Sequence, residues 1–192
     1  MVMPLRTILT LPDPRLRLAG APVPEVDDGV RALMDDLLET MYAAPGVGLA
    51  AIQIAVQKRV IVLDVAKRAD EAAPEPLCLA NPEILWVSEE LSTYQEGCLS
   101  IPDVFEDVER PTRARARYLD RDGRAQELEA DGILATCLQH EIDHLNGVLF
   151  IDHLSRLKRD LVMRKFRKNA KHGAPARKDG AAKEQVPTGT GA

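Results

Sequence analysis

The chain has few of the residues that mark a secreted, membrane or nucleic-acid-binding protein. It contains three cysteines among 192 residues, an odd and small number that argues against a disulfide framework and favours a reducing compartment. The N-terminal segment has no apolar run of the length that a signal peptide or a membrane span needs. The net charge of −5 gives no general case for nucleic-acid binding. These absences predict a cytoplasmic protein that contacts no membrane.

The remaining patterns predict an α+β fold. Apolar residues recur at helical spacing over residues 30–42 and again over 133–145. Runs rich in β-forming residues lie at 59–65 and at 77–85, the second interrupted by Pro82. Alternating Arg and apolar residues over 113–118 lead into "DRDG", which is typical of a hairpin. We expect mixed or antiparallel sheets packed around a central helix, with further helices towards the N-terminus and the C-terminus.

The C-terminal part of the chain is basic. Between Arg156 and Lys178 there are ten Lys or Arg residues and one acid, Asp160. We expect an amphipathic helix from about residue 155, with Leu157, Leu161 and Phe166 on one side. Two interpretations of this segment stay open: a helix whose charges are solvated, and a surface that docks on a polyanion such as RNA. Residues 1–171 are predicted to form one catalytic domain, and 172–192 a disordered polar tail.

A His-Glu-x-x-His pattern lies on the second predicted helix. His140 and His144 are four residues apart, so they lie about 40° apart around the helix, one turn above the other, and can reach one metal ion. Glu141 can reach a metal-bound water without ligating the metal. Two His and a Glu are costly to bury on an apolar helix unless they are paired or coordinated. We therefore favour a metal site, and the His-Glu-x-x-His helix is the expected central helix.

The third ligand of a catalytic metal has to come from elsewhere in the chain. His153 lies too far along for the metzincin spacing, which would place a histidine at Phe150. Cys78 lies in an apolar run and reads as a core thiol. Cys137 is on the same helix as the His pair. Cys98 follows a Glu-Gly step at which the backbone can approach another group closely, and it ranks first without excluding the other two.

Three separate motifs resemble those of the bacterial peptide deformylases. They are "GVGLAAIQ" at 46–53, "EGCLS" at 96–100 and "QHEIDHLNG" at 139–147. The likeness extends to "PDPRLR" near the start and "LFIDHLS" after the third motif, and it covers residues 5–170. Three motifs in the family's order are far more specific than any one of them. Ala55, where many relatives have Gly, is a small departure that touches no catalytic position.

The resemblance implies a function and a set of site residues. A metal-activated hydroxide would attack the formyl carbon of N-formyl-Met nascent peptides and release formate, with Glu141 as general base and acid. The metal ligands would be Cys98, His140 and His144. The oxyanion donors would be the Gln53 amide and the Leu99 backbone N–H. The substrate cleft would be lined by Val47 and Gly48.

The resemblance also implies a metal and partners. The family favours Fe²⁺ and accommodates Zn²⁺, Ni²⁺ or Co²⁺, whereas the ligand types alone suggest zinc. We expect a monomer in which Arg110 neutralises Asp143 behind the metal helix. The basic C-terminal helix would dock on the ribosome. Two alternatives stay open: a zinc endopeptidase of the His-Glu-x-x-His type, and a catalytically idle, ribosome-associated relative.

Overall fold

The computed structural model describes residues 5–66 and 73–171. The predicted tail at 172–192 lies outside the described residues. Within the described part of the chain, no helix combines the length and the apolar character needed to cross a bilayer. Every paired strand in it is antiparallel, and three α-helices accompany two sheets. The expectation of an α+β fold with antiparallel sheets is thus confirmed.

The first helix, α1, spans Asp28–Ala43 and forms where the apolar periodicity predicts it. The side chain of Asp27 caps its start by accepting a hydrogen bond from the Val30 N–H at 2.7 Å, which satisfies one of the free amides of the first turn. Its apolar face is buried against the edge of the larger sheet, with Met34, Leu37 and Met41 fully enclosed. Burial of these side chains holds α1 against the larger sheet.

The larger sheet has five strands in the order β1-β2-β3-β6-β7. The strands are β1 (Gly48–Ala50), β2 (Val60–Leu63), β3 (Leu77–Val87), β6 (Arg113–Leu119) and β7 (Ala125–Asp131). The predicted hairpin is confirmed as β6 and β7. The predicted interruption at Pro82 is wrong, because β3 continues past it. A shift of register between Ala80 and Glu83 accommodates the proline, which has no N–H to donate to a neighbouring strand.

The smaller sheet is a long hairpin that the sequence patterns did not reveal. Its strands are β4 (Leu91–Cys98) and β5 (Ile101–Pro111). The hairpin closes where Cys98 pairs with Ile101, so that Leu99 and Ser100 form the turn. "EGCLS" therefore occupies the end of β4 and the turn that follows it.

The second helix, α2, spans Gly132–Leu145 and packs on strands of the larger sheet. Its C-terminal end is fastened by Arg59, whose guanidinium donates to the Leu145 carbonyl at 3.4 Å and to the Asn146 side chain at 2.9 Å. Gly147 then adopts a φ of 73°. A Cβ there would stand 2.4 Å from the Arg17 carbonyl oxygen, so only glycine fits at this position after α2.

The third helix, α3, spans Arg156–Lys171 and packs beside β5. Its apolar side differs from the one that the sequence predicted. Leu157 and Leu161 are 72% and 55% exposed, whereas Val162 is buried and Phe166 is partly buried against the same cluster. The helix therefore presents a surface that combines two exposed leucines with Lys and Arg residues.

Candidate metal centre

Three predicted ligands from distant parts of the chain come together. Cys98 comes from the end of β4, and His140 and His144 come from successive turns of α2. One donor atom of each residue lies within 4.8 Å of the other two. The Cys98 Sγ and His144 Nε2 are 3.2 Å apart. Sulfur and imidazole nitrogen at this separation suit a transition-metal ion, so the donor set fits the metal expected from the sequence. Cys78 and Cys137 lie outside this set.

A carboxylate orients the first histidine. The His140 Nδ1 lies 2.8 Å from Glu96 Oε2, and both side chains are buried. A carboxylate accepts the Nδ1 hydrogen, and the Nε2 lone pair is then directed to a metal. The ring of Phe150 is stacked on the imidazole of His140, with centroids 6.1 Å apart. His140 thus has both its tautomer and its plane fixed by neighbours.

A buried arginine lies behind the two histidines. The Arg110 Nε and Nη2 donate to the two oxygens of Glu96 at 2.5 and 3.1 Å, and Nη1 donates to Asp143 Oδ2 at 2.8 Å. The expected contact between Arg110 and Asp143 is therefore present. Burial raises the pKa of Glu96, but its hydrogen bonds with His140 and Arg110 outweigh burial and lower the pKa overall.

Glu141 has a different environment from the other two carboxylates. It is 4% exposed, and its Oε2 has no hydrogen-bond partner among the described residues. Burial raises its pKa to about 7, against a smaller opposing effect of His140. A carboxyl group in this range can both accept and return a proton near neutrality. This is the property that a general base and acid requires.

The pKa values of the two histidines are shifted in opposite directions. Burial lowers the pKa of His144 well below its ordinary value, which favours the neutral imidazole that binds a metal. Burial acts in the same direction on His140, but its contacts with Cys98 and Glu96 outweigh it and raise the pKa. Metal binding would therefore displace a proton from this part of the site.

Gly48 makes room for the Glu141 carboxylate. A Cβ on Gly48 would stand 2.4 Å from Glu141 Oε1 and 2.8 Å from Cys137 Sγ. The backbone of Gly48 has an ordinary conformation, so the glycine is required here by space and not by its φ angle. The preceding carbonyl, that of Val47, accepts from the Asp64 N–H at 2.8 Å. Gly48 consequently lies against the Glu141 carboxylate, and the Val47 carbonyl also accepts from Cys137 Sγ on the same helix at 3.5 Å.

The amide of Gln53 is held towards the thiol. Gln53 is buried, its Oε1 accepts from the Ala50 N–H at 2.8 Å, and its Nε2 donates to Ser100 Oγ at 3.1 Å. The same Nε2 lies 3.6 Å from Cys98 Sγ. Leu99 is the first residue of the turn after Cys98. Gln53, Leu99 and the candidate ligands therefore occupy one neighbourhood.

Sequence reasoning missed three residues of this neighbourhood. Glu96 and Ser100 are part of the "EGCLS" motif, and their burial shows that they support Cys98 and its surroundings. His153 was considered only as a ligand, but its Nε2 lies 2.8 Å from Asp143 Oδ2 instead. The signal for Glu96 was a charged residue two positions before a candidate ligand. No pattern in the sequence pointed to the contact of His153.

Comparison with known proteins gives one consistent family. The model of the polypeptide deformylase family matches residues 5–160. A peptide deformylase from Methylocella silvestris is 71% identical over 170 residues, which cover 88% of this chain and 87% of that protein.

Two solved structures extend the likeness to the fold. The crystal structure of peptide deformylase from Ehrlichia chaffeensis has a TM-score of 0.83 and 42% identity, covering 88% of this chain and 99% of that one. A Met-Ala-Ser-bound class I type b peptide deformylase from Acinetobacter baumannii has a TM-score of 0.73 and 35% identity, covering 78% and 98%.

The thiol of Cys98 should be needed for metal binding, and the other two thiols should not. We expect Cys98→Ala to weaken Co²⁺ binding at least about a hundredfold, since it leaves two protein ligands. Isothermal titration of the metal-free protein with Co²⁺ measures this. Cys78→Ala is the matched control, because its thiol is half-buried in β3 away from the donor set. Equal affinity of the Cys98 variant and the parent protein would exclude the thiol as a ligand.

Proposed function

The chain belongs to the peptide deformylase family and is an enzyme of that kind, and from this premise we propose how its residues perform the reaction. The substrate is the N-terminal formylmethionine of a nascent polypeptide, and hydrolysis of the formyl amide releases formate. The observation that carries the proposal is the meeting of Cys98, His140 and His144 beside the partnerless carboxylate oxygen of Glu141. A purely structural metal site has no use for such an acid.

We propose that Cys98, His140 and His144 hold one divalent metal ion. A bound ion would supply Lewis-acid chemistry, polarising the formyl group and making water nucleophilic near neutral pH. Cys98 contributes a thiolate from the hairpin, and the His140 Nε2 is directed by the bond from Nδ1 to Glu96. The burial of His140 and His144 excludes bulk water from two of the three ligands.

Glu141 moves the proton in this proposal. Its carboxylate takes a proton from the attacking water and returns it to the amine that leaves. With a pKa of about 7, the Glu141 carboxyl group can both accept a proton and release one near neutral pH. The space left by Gly48 lets the carboxylate approach the cleft.

Gln53 and Leu99 stabilise the negative charge that develops on the formyl oxygen. One hydrogen of the Gln53 amide is engaged by Ser100, and the second, which faces the Cys98 thiol, would donate to the formyl oxygen. The backbone N–H of Leu99 would be the other donor. One such donor contributes about 3 kcal/mol to transition-state stabilisation. The contacts of Gln53 with Ala50 and Ser100 fix its amide before the substrate arrives.

The peptide would bind along β1. This strand is at the edge of the larger sheet, where it pairs only with β2 among the described strands. An edge strand that carries small residues, here Gly48 and Ala50, can add an extended peptide through backbone hydrogen bonds. Val47 and Gly48 would then contact the substrate next to the reacting amide. The Met-Ala-Ser-bound relative from Acinetobacter baumannii supports a short peptide of this type as the ligand.

The proposal assigns further properties to the whole chain. All of the proposed site residues lie within 1–171, which supports this segment as the catalytic unit. Contacts of α2 with strands of the larger sheet and with β5 support its place as the central helix. We also propose that the enzyme is cytoplasmic, since nascent polypeptides are its substrates, and that it is a monomer, as expected from the sequence. Sedimentation of the purified chain would reveal a dimer if this is wrong.

Removal of the Glu141 carboxylate should abolish turnover and spare the metal. We expect Glu141→Gln to lower kcat on formyl-Met-Ala-Ser by several orders of magnitude, beyond the ~10²–10⁴-fold of proton transfer alone, because it serves in two transfers. Formate release and metal content are measured on the same sample. An active variant with bound metal would contradict the proposed acid and base.

Gly48→Ala tests the same carboxylate without changing its chemistry. The new methyl group would collide with Glu141 Oε1 and displace it, so kcat should fall while metal content stays at the parent value. Gly29→Ala in α1 is the control, since its Cβ would meet the Asp27 side chain, at 3.3 Å, and no proposed site residue. Turnover lost equally in both variants would indicate an effect that does not act through Glu141.

We propose Fe²⁺ as the metal of the active enzyme in the cell. The support is the family together with a donor set of one thiolate and two imidazoles, which accepts iron as well as zinc, nickel or cobalt. Protein purified without oxygen should contain iron in proportion to its turnover. Full activity with zinc and none with iron would overturn this choice.

The basic surface of α3 would dock on ribosomal RNA. Its Arg164, Lys165, Arg167 and Lys168 lie on a helix that also exposes Leu157 and Leu161. Charge reversal at Arg164 and Lys168 should weaken co-sedimentation with ribosomes, and the loss should grow smaller as salt is added. Reversal of Arg117 and Arg124 on the β6–β7 hairpin is the control. Unchanged co-sedimentation after reversal on α3 would dismiss the docking.

A further inference from the structure

A short segment after α2 contacts His140, a proposed metal ligand, and also contacts the charged groups behind it. Residues Phe150–His153 form a 3-10 helix. At its start, Phe150 stacks on the ring of His140, with an interplanar angle of 22°. At its end, the Nε2 of His153 lies 2.8 Å from Asp143 Oδ2. One turn of helix therefore reaches His140 directly through an aromatic face and also reaches the charged groups behind it.

The contact of His153 continues inward as a chain of hydrogen bonds. Asp143 Oδ2, which faces His153, also accepts from Arg110 Nη1 at 2.8 Å. Arg110 in turn donates to both oxygens of Glu96, and Glu96 Oε2 lies 2.8 Å from His140 Nδ1. Every link joins a donor to a carboxylate, and such charge-assisted bonds are stronger and more directional than neutral ones. The chain ends on a proposed metal ligand.

Asp143 depends on these bonds for its orientation. It lies together with Arg110 and His153 at the wall of a cavity of about 290 Å³. Side chains at a cavity wall have fewer packing contacts to hold them in one rotamer. Loss of the His153 hydrogen bond would leave the Asp143 side chain with Arg110 as its one hydrogen-bond partner among the described side chains. Arg110 could then rotate with Asp143 and shift Glu96.

We propose that His153 is a positioning residue of the metal centre. It holds Asp143, so that Arg110 and Glu96 keep the His140 imidazole aimed at the metal, while Phe150 from the same turn limits the tilt of the ring. The inference rests on the proposed metal site, and it adds a role for a residue that touches neither metal nor substrate. Supporting residues of this type typically change metal affinity by about 10–100-fold when they contact a ligand directly.

The test compares two substitutions at one exposed position. His153→Gln keeps an N–H donor for Asp143, whereas His153→Phe keeps a ring of similar size and removes the donor. Because His153 acts through three intermediates, we expect His153→Phe to weaken Co²⁺ affinity less than a direct partner would, by about three- to tenfold. The visible absorption of the cobalt-loaded protein should shift as well. His153→Gln should stay within about twofold of the parent protein.

The control variant is Arg117→Ala, which removes an exposed ion pair with Glu83 on the larger sheet. It should change neither affinity nor spectrum. Thermal unfolding of each metal-free variant checks that the fold is retained. Parent-like affinity and spectrum in His153→Phe would overturn the inference, and so would an equal loss in the Phe and Gln variants.

Cys98→Ala separates this inference from the function on which it rests. If that variant loses metal and His153→Phe does not, the metal site stands and the role of His153 fails. If Cys98→Ala binds cobalt as the parent protein does, the proposed metal site itself is wrong.

Discussion

The buried guanidinium of Arg110 is the group on which the geometry of the site depends. It is 4% exposed and pairs with Glu96 from the neighbouring strand and with Asp143 from α2. Removing one partner of a buried ion pair typically costs about 3–5 kcal/mol, because the remaining charge is left without compensation. Glu96 is two residues from Cys98, and Asp143 is next to His144. The arginine therefore fastens the hairpin that carries the thiol to the helix that carries both imidazoles.

The elements with regular apolar periodicity could be predicted from the sequence, whereas the hairpin of β4 and β5 could not. In α1 five of the seven buried positions are apolar and follow the helical repeat, and α2 keeps apolar residues at helical spacing beside its buried polar ones. In the hairpin, Glu96 and Arg110 occupy buried positions where alternation would require apolar residues. The charges that make the hairpin useful to the site thus removed the pattern that would have revealed it. Such local conflicts are expected where a fold supports function.

The same distinction applies to the candidate site. The spacing of His140 and His144 on a helix was sufficient to predict that they face one point. No spacing rule connects Cys98 to them across some forty residues, and its rank among three cysteines depended on the motif around it. The position of Glu96 behind His140 could not be predicted, because it follows from how the hairpin crosses α2. Position 48 could not be predicted to require glycine either, because the requirement comes from the carboxylate of Glu141, more than ninety positions away.

The three carboxyl groups around α2 differ in pKa because they differ in their hydrogen-bond partners. Burial acts against ionisation, but hydrogen bonds with His140 and Arg110 lower the pKa of Glu96, and those with His153 and Arg110 lower the pKa of Asp143. Glu141 receives no hydrogen bond from the guanidinium, and burial raises its pKa to about 7, while the charges of its neighbours act in both directions. Pairs of acids whose pKa values are driven apart by their surroundings take different roles in catalysis. The arrangement therefore leaves two permanent anions that orient the donors, and one acid that can exchange a proton near neutral pH, which is the role proposed for Glu141.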